Sequence, residues 1–300
     1  MDIDIAAAES FAASHARIID RLRLDLLLGV GDRDAVTDQT LTALEAYGNP
    51  DGGYGWGLEP DLRSRTSQPG AALCAFEVWA DIGADAGPRA QRLCDWLASI
   101  SMPDGGVPFA MPFEDQTASA PWWTGADTTV SSLQITAAVV INAHKVAIRT
   151  PSVASHPWLQ AASQYCLDAI RALDGPPSAH IMSYSLRFLD VVADSTPQAA
   201  DLIDRLVGLL PPDGRMAVEG GADGEMLRPL DYAPEPGTTV RRLLPASVIE
   251  KELEGVVTAQ QPDGGWPIDW AVSSRAAALE WRGYVTMRSL ALLKANGKQI

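Results

Sequence analysis

The chain has 300 residues, of which 47% are hydrophobic and 20% are charged, a composition typical of soluble globular proteins. Its 38 acidic and 23 basic residues give a formal net charge of −15, which argues against nucleic acid and anionic membrane surfaces as partners. The three cysteines form no C-x-x-C pair, and no apolar run is long enough to span a bilayer. The first five residues, MDIDI, lack the basic region and the apolar core that are typical of a signal peptide. We therefore predict a cytoplasmic protein with one domain over residues 1–300 and no integral membrane segment.

Apolar residues recur with helical spacing along most of the chain, and the alternation typical of strands is nearly absent. Prolines at Pro69 and Pro197 stand where helices commonly begin. The pattern predicts helices over residues 6–28, 35–47, 69–82, 88–100, 128–148, 155–173, 179–192, 197–210, 246–260 and 274–296. Two long loops, 107–126 and 215–245, interrupt the series.

A tetrapeptide, Pro-Asp-Gly-Gly, begins at Pro50, Pro103 and Pro262, and a variant of it begins at Pro212. The aspartates of these four turns are separated by 53, 109 and 50 residues. The middle spacing is about two periods, which predicts that one copy has been lost near residues 156–158. We interpret the aspartates as staples of helix-connecting turns rather than as catalytic groups.

Two helices and one glycine-rich turn in each period predict an all-α fold of five to six helical hairpins. Stacked hairpins either extend as an open solenoid or close into an α/α toroid. We favour the toroid because the period exceeds that of common solenoid repeats. The two long loops would then cover one mouth of the ring.

Residues 257–266, and less closely residues 49–57, resemble the glutamine–tryptophan repeat of the terpenoid cyclase and prenyltransferase toroid superfamily, which includes squalene–hopene cyclase-like proteins. Residues 125–129, with the sequence GADTT, are similar to the Asp-x-Asp-Thr-Thr form of the class II terpene cyclase motif. In this chain Gly125 stands in place of the first aspartate of that motif.

The resemblance implies that Asp127 is the general acid that protonates an alkene and starts the cyclisation of an isoprenoid or prenylated substrate. An enzyme of this kind is an isomerase or a lyase. The resemblance implies no cofactor, with Mg²⁺ only where the substrate is a diphosphate. The Asp-x-Cys pair of the zinc-dependent protein prenyltransferases is absent from the sequence, so we predict no metal site.

Protonating an isolated alkene calls for a carboxyl that stays neutral in an apolar cavity. Indole faces stabilise the resulting cation without attacking it. We therefore expect a small hydrophobic ligand of the isoprenoid type, bound by tryptophans at helix ends and by a polar cluster that follows the first of them. These candidate binding residues are Trp56, Glu59, Asp61, Arg63, Trp122, Trp123, Trp266, Trp270 and Trp281.

Each assignment has a structural alternative. Asp127 is also placed to be the N-cap of the helix that follows it, the tryptophans to pack a core, and the polar cluster to form an ion-pair network. Two other functions therefore stay open. One is a carbohydrate-active toroid enzyme, in which sugars stack on tryptophan and Glu59 or Asp61 joins an acid–base pair. The other is a non-catalytic ring that binds a lipid or a protein, with Asp127 only as a cap.

Overall fold

The computed structural model describes residues 3–300, which are mostly helical. The helices are α1 (Ile5–His15), α2 (Ile18–Leu28), α3 (Arg33–Glu45), α4 (Pro69–Ile82), α5 (Gly87–Ile100), α6 (Pro121–Thr124), α7 (Leu133–Ala147), α8 (Pro151–Ala154), α9 (Pro157–Arg171), α10 (Ala179–Val192), α11 (Ala199–Val207), α12 (Pro229–Tyr232), α13 (Thr239–Leu243), α14 (Ala246–Thr258) and α15 (Arg275–Ala295). Strands β1 (Met216–Ala217) and β2 (Met226–Leu227) form a short antiparallel ribbon in the second long loop.

Helices α4 and α10 have the bounds that the sequence predicts, but of two other predicted helices one is interrupted and one begins later than predicted. The helix predicted over 6–28 is interrupted because Ala16 and Arg17 are extended, with ψ angles of 157° and 151°. Arg17 then forms an ion pair with Asp20 in the first turn of α2. The helix predicted over 128–148 begins only at Leu133, because Ser132 is its N-cap.

The place predicted for a lost turn, residues 156–158, is also wrong. His156 is the N-cap of α9 and Pro157 is its first residue, so this segment begins a helix and is not a remnant of a glycine-rich turn. In chain order, the connection equivalent to the other turns is residues 172–178, between α9 and α10. It contains Asp174 and Gly175 but no second glycine. The repeat is therefore kept in the order of its elements and not in its length.

The contacts divide the chain into two compact units, and the single domain over 1–300 stays a prediction. The first unit comprises residues 33–172 and 272–274, and the second comprises residues 3–32, 173–271 and 275–300. In the first unit α4 packs along α7, and α7 packs along α9. In the second unit α15 packs on α1 and α2, while α10 packs on α11 and α12.

Large aromatic side chains fill the core of the first unit. Phe76 of α4 stacks on Trp158 at a ring separation of 6.4 Å and meets Trp79 edge-on at 5.5 Å. Tyr54, from the first glycine-rich turn, also meets Trp79 edge-on. All four are buried, and burying each such side chain contributes about 2–3 kcal/mol to folding.

Two glycine-rich turns of the first unit make the same contacts. Asp51 accepts hydrogen bonds from the Gly53 amide (3.0 Å) and the Ser67 hydroxyl (2.7 Å). Asp104 accepts the equivalent bonds from Gly106 (3.1 Å) and Ser131 (2.5 Å). Each bond from a serine holds the turn against the segment that leads into the next buried helix.

The third turn of this kind lies in the second unit, where Asp263 accepts from the Gly265 amide at 3.1 Å. The predicted role of these aspartates as structural staples is therefore confirmed by their contacts. Within residues 3–300, none of the helices is both long enough and apolar enough to cross a membrane.

Candidate functional site

In the first unit, the loop of residues 107–120 is fastened to the loop that precedes α4. The buried Gln68 side chain pairs with the backbone of Met111, accepting from its N–H at 2.9 Å and donating to its C=O at 3.2 Å. The Ala120 N–H donates to the Asp61 carbonyl, and the Arg63 N–H donates to the Ser119 hydroxyl, both at 2.8 Å. These three links hold the loop in place and position the tryptophans that follow it.

The predicted polar cluster lies between these links and is mostly buried. Asp61 is 2% exposed, and its carboxylate accepts from the N–H and the hydroxyl of Ser273 at 3.3 and 3.1 Å. Glu59 is also buried, while Arg63 is half-buried with its guanidinium beside Gly57. Asp61 therefore joins two chain segments, in keeping with the structural alternative for this cluster.

The three tryptophans predicted in this unit occupy different environments. Trp56 is 52% exposed, adopts the left-handed conformation at φ 56°, and donates its indole N–H to the Asn49 side chain at 2.9 Å. Trp122 is 41% exposed on the short helix α6. Trp123 is buried, stacks on Phe109 at 4.5 Å, and lies so close to Gly70 that a Cβ there would overlap its ring. The three tryptophans therefore differ in exposure and in contacts, and their role in binding stays a prediction.

Asp127 lies in the connection between α6 and α7, and its side chain is exposed. One carboxylate oxygen, Oδ1, accepts from the Thr129 amide at 2.8 Å and from the Thr129 hydroxyl at 2.6 Å. Both bonds favour the ionised form, so they hold the pKa of Asp127 below its usual value. Asp127 thus caps a turn and is not the N-cap of α7, which is Ser132. Its assignment as the proton donor stays a prediction.

In the second unit Trp266 is 2% exposed and follows the third glycine-rich turn. Its indole N–H donates to the Val256 carbonyl at 2.7 Å, and its backbone N–H donates to the Thr286 hydroxyl at 3.0 Å. These bonds join the end of α14 to the middle of α15. These contacts make Trp266 part of the core, and its role in binding stays a prediction.

Trp270 and Trp281 do come together, as a half-buried aromatic cluster. Their rings meet edge-on at 5.3 Å, and Tyr284 meets Trp281 edge-on at 5.4 Å. The Arg23 guanidinium of α2 lies 5.5 Å from the centre of the Tyr284 ring. Aromatic faces attract positive charge, and in Tyr284 one such face is already occupied by Arg23. The predicted pair is thus brought together, although its role stays a prediction.

A carboxyl that the sequence analysis did not single out lies in the same unit, at Asp231. Arg228 and Asp231 open and close the first turn of α12, where the Arg228 N–H donates to Asp231 Oδ2 at 2.7 Å. The Arg228 guanidinium pairs with Asp269 at 2.5 Å, and Asp269 directly precedes Trp270 in the chain. We call Arg228, Asp231 and Asp269 the Asp231 site.

The Asp231 side chain has an accessible surface, although protein surrounds it closely. Desolvation by these surroundings outweighs the Arg228 hydrogen bond and charge, and raises the pKa of Asp231 to about 6. The Ser183 hydroxyl of α10 donates to the Asp231 carbonyl at 2.7 Å and fixes α12 in place. By its contacts, Asp231 is a capping residue of α12. In the sequence, the only sign of this arrangement is that Asp231 follows Arg228 by three residues, with Pro229 between them, which is a spacing typical of a helix cap.

The other polar groups that could hold a ligand or a metal ion are engaged within the chain or are not clustered. Arg241 and Arg242 donate hydrogen bonds to backbone carbonyls and to the side chains of Asn296 and Thr239. Within residues 3–300, no group of three or more histidine, cysteine or acidic side chains is arranged to hold a metal ion.

No protein-family model matches the chain, and no curated protein matches it. Solved structures of the type II terpene cyclase MstE from Scytonema do match it. The apo enzyme has a TM-score of 0.57 at 14% identity, covering 98% of this chain and 97% of that chain. A variant with an aspartate replaced by asparagine, bound to its substrate geranylgeranyl dihydroxybenzoate, has a TM-score of 0.55 at 13% identity and covers 96% and 97%. A tyrosine-to-phenylalanine variant has a TM-score of 0.52 at 14% identity and covers 96% of each chain.

The chain therefore shares its fold with MstE, and the predicted all-α toroid class is confirmed. At this level of identity the likeness extends to the fold alone.

Proposed function

We propose that the chain is a class II terpene cyclase-like enzyme, which protonates a prenylated substrate and cyclises it without a redox cofactor. The observation that carries the proposal is the fold, which matches MstE bound to geranylgeranyl dihydroxybenzoate over 96% of this chain. A prenylated aromatic acid is accordingly the first substrate class to test. The repeat and motif resemblance of the sequence points to the same reaction.

Two local features of the second unit support this chemistry. Trp270 and Trp281 supply aromatic rings for a carbocation, which their faces stabilise without forming a bond to it. The Asp231 site supplies an accessible carboxyl whose pKa is raised to about 6. A neutral carboxyl is a proton donor, whereas a carboxylate with a low pKa is not.

The proposed reaction is an isomerisation. A carboxyl O–H bond breaks as its proton joins the less substituted carbon of the terminal alkene. The π electrons of that alkene form the new C–H bond and leave a tertiary cation on the other carbon. The neighbouring alkenes then close rings by attacking successive cations. A proton lost from a carbon beside the last cation restores a double bond, and solvent returns a proton to the carboxylate. The product consequently has the composition of the substrate.

A second candidate function is a non-catalytic toroid that binds a lipid, and the geometry of Asp127 favours it. That alternative requires the motif aspartate to be only a cap, and Asp127 is exposed and bonded to Thr129. Turnover separates the two functions, since a binding protein returns its ligand unchanged. The carbohydrate alternative is not supported by Asp61, its candidate for an acid–base pair, because this carboxylate is buried and hydrogen-bonded to Ser273.

The proposal is tested by incubating the purified chain with geranylgeranyl dihydroxybenzoate, squalene and geranylgeranyl diphosphate, each with and without Mg²⁺. Products are separated by chromatography and weighed by mass spectrometry. We expect a new species of unchanged mass from the prenylated aromatic acid, formed without added metal. Binding of a substrate without any new species would support the lipid-binding candidate. The absence of both binding and product would contradict both candidate functions.

A further inference from the structure

We infer, building on the proposed function, that Glu225 and Arg228 are positioning residues, which hold the Trp270 ring against Trp281 for the carbocation. The two residues stand immediately before and after β2. They act through the chain on either side of Trp270 and not through contact with the substrate. All four residues belong to the second unit.

The two tryptophans differ in what holds their backbones. Trp281 belongs to the 21-residue helix α15, which packs on α1 and α2. Trp270 lies in the connection between α14 and α15, and residues 265–271 of that connection form neither helix nor strand. The hydrogen bonds of a helix fix the backbone of Trp281. The geometry of the pair therefore depends on what holds the chain at Trp270.

Two side-chain contacts fix the residues that flank Trp270 in the chain. The Glu225 carboxylate accepts a hydrogen bond from the Ala271 N–H at 3.3 Å. The Arg228 guanidinium pairs with the Asp269 carboxylate at 2.5 Å. We call these two contacts the Trp270 clamp. Because they restrict the backbone of Trp270 from both sides, few orientations remain for its ring.

The segment that supplies the clamp is itself fixed. Arg215, just before β1, pairs with the buried Glu252 of α14 at 2.5 Å, and β2 packs on α10. The Glu225 oxygen that accepts from the 271 amide, Oε2, also accepts from the Ala222 N–H at 2.8 Å, which orients the carboxylate. The clamp therefore connects the chain at Trp270 to two helices of the same unit.

The direction of the Trp270 ring matters for the proposed reaction. Cation–π attraction acts on a charge that lies over a ring face, so it weakens when the ring turns away. Groups that are fixed before a charge develops stabilise it without being rearranged during the reaction. The edge-on pair of Trp270 and Trp281, at 5.3 Å, is already formed in the free protein. The clamp therefore supplies the preorganisation that the proposed carbocation requires.

The first measurement needs no substrate. With fluorotryptophan incorporated, the nine tryptophans give fluorine NMR resonances, and Trp270→Phe and Trp281→Phe assign the two of interest. Glu225→Ala and Arg228→Ala each remove one contact of the clamp. Glu219→Ala is the matched control, because Glu219 is exposed in the turn between β1 and β2. Circular dichroism and melting curves report whether each variant is folded.

We expect the Trp270 and Trp281 resonances to shift or broaden in Glu225→Ala and in Arg228→Ala, and most in the double variant. The resonances of the tryptophans in the first unit should stay in place, and Glu219→Ala should change none. Glu225→Gln keeps an acceptor and Arg228→Lys keeps a cation, so both should retain most of the wild-type spectrum. A Trp270 resonance that is unchanged in the double variant would overturn the inference.

The second measurement tests the role of the clamp in catalysis, using the kcat and KM for geranylgeranyl dihydroxybenzoate in the same variants. We expect the double variant to lower kcat about tenfold, the effect of weakening a cation–π contact. Its KM should stay within a few-fold of the wild type, because the cation exists only after protonation. Glu219→Ala should leave both constants unchanged.

The outcomes separate the inference from the proposed function. An active double variant with shifted resonances and the kcat of the wild type would overturn the inference and leave the proposed function standing. An inactive wild type would contradict the proposed function itself, and the inference with it.

Discussion

The Arg282 guanidinium binds both oxygens of the Asp263 carboxylate, with Nη1–Oδ2 and Nη2–Oδ1 distances of 2.8 and 2.9 Å. Arg282 belongs to α15 and Asp263 to the glycine-rich turn after α14. The same guanidinium lies 4.5 Å from the centre of the Phe11 ring in α1. One side chain therefore joins the first helix, the last turn and the last helix of the second unit.

Replacing Arg282 with lysine should lower the free energy of unfolding by about 1 kcal/mol, because lysine cannot form the paired bonds of a planar guanidinium. Arg275→Lys, at the exposed first residue of α15, is the matched control and should have no effect. Chemical denaturation measures both. An equal loss in the two variants would contradict the structural role of this pair.

The Arg282→Lys effect should also depend on pH. The hydrogen bond from Arg282 lowers the pKa of Asp263, so the stabilisation is present above the unfolded pKa and is lost as the pH falls through the folded pKa. The difference in melting temperature between wild type and variant should consequently shrink in acid. A difference that is constant from about pH 7 to about pH 3 would be inconsistent with this pairing.

Gly264 should not tolerate a side chain. Its φ of 90° is unfavourable for other residues, and a Cβ would overlap the Ala7 carbonyl. Gly264→Ala is expected to cost about 3 kcal/mol or more, from strain and overlap together. Gly224→Ala separates the two causes, since Gly224 has a φ of 80° and open space around it, and should cost about 1 kcal/mol. Similar losses in both variants would show that the contact with Ala7 does not matter.

The effects of replacing Asp104 and Ser131 on stability should be coupled, because their side chains share a hydrogen bond. Asp104→Ala and Ser131→Ala are each expected to lower the free energy of unfolding by about 1 kcal/mol, because each removes the 2.5 Å hydrogen bond between these side chains. The double variant should lose clearly less than the sum of the two, since the bond can be lost only once. Strict additivity in urea denaturation would rule out this coupling.

Asp231→Asn should become relatively more stable as the pH rises. A raised folded pKa means that the native state binds the Asp231 proton more tightly than the unfolded chain does. The wild type therefore loses stability as the pH rises from the unfolded pKa of 3.8 to about 6. The variant lacks this penalty, so its melting temperature relative to the wild type should rise over that interval and then level off. A relative melting temperature that falls with pH would contradict a raised pKa at this position.

Local patterns in the sequence predicted the helices and the turns well. The bounds of α4 and α10 follow from apolar spacing and start signals, and the glycine-rich turns from their own composition. The break at Ala16 and the late start of α7 were not predictable in this way. The first depends on an extended pair of residues, and the second on a serine that caps five residues after Asp127.

The site residues were harder to predict, because burial depends on residues distant in sequence. Trp270 and Trp281 were proposed together and do meet, whereas Trp56 and Trp123 differ sharply in exposure. Asp231 was missed because its surroundings come from α10 and from residue 269 as well as from its own turn. A family motif directs attention to Asp127, and only the folded chain reveals that its hydrogen bonds favour the ionised form.

The central claim is that the chain starts a cyclisation by donating a proton, and deuterium labelling tests it most directly. In D₂O, the proton of the donor carboxyl is replaced by deuterium from the solvent before the carboxyl protonates the alkene. The account predicts that geranylgeranyl dihydroxybenzoate is converted by the wild type into a cyclised product carrying one deuterium at the carbon that was protonated. Substrate returned unchanged, or a product without deuterium, would contradict the account.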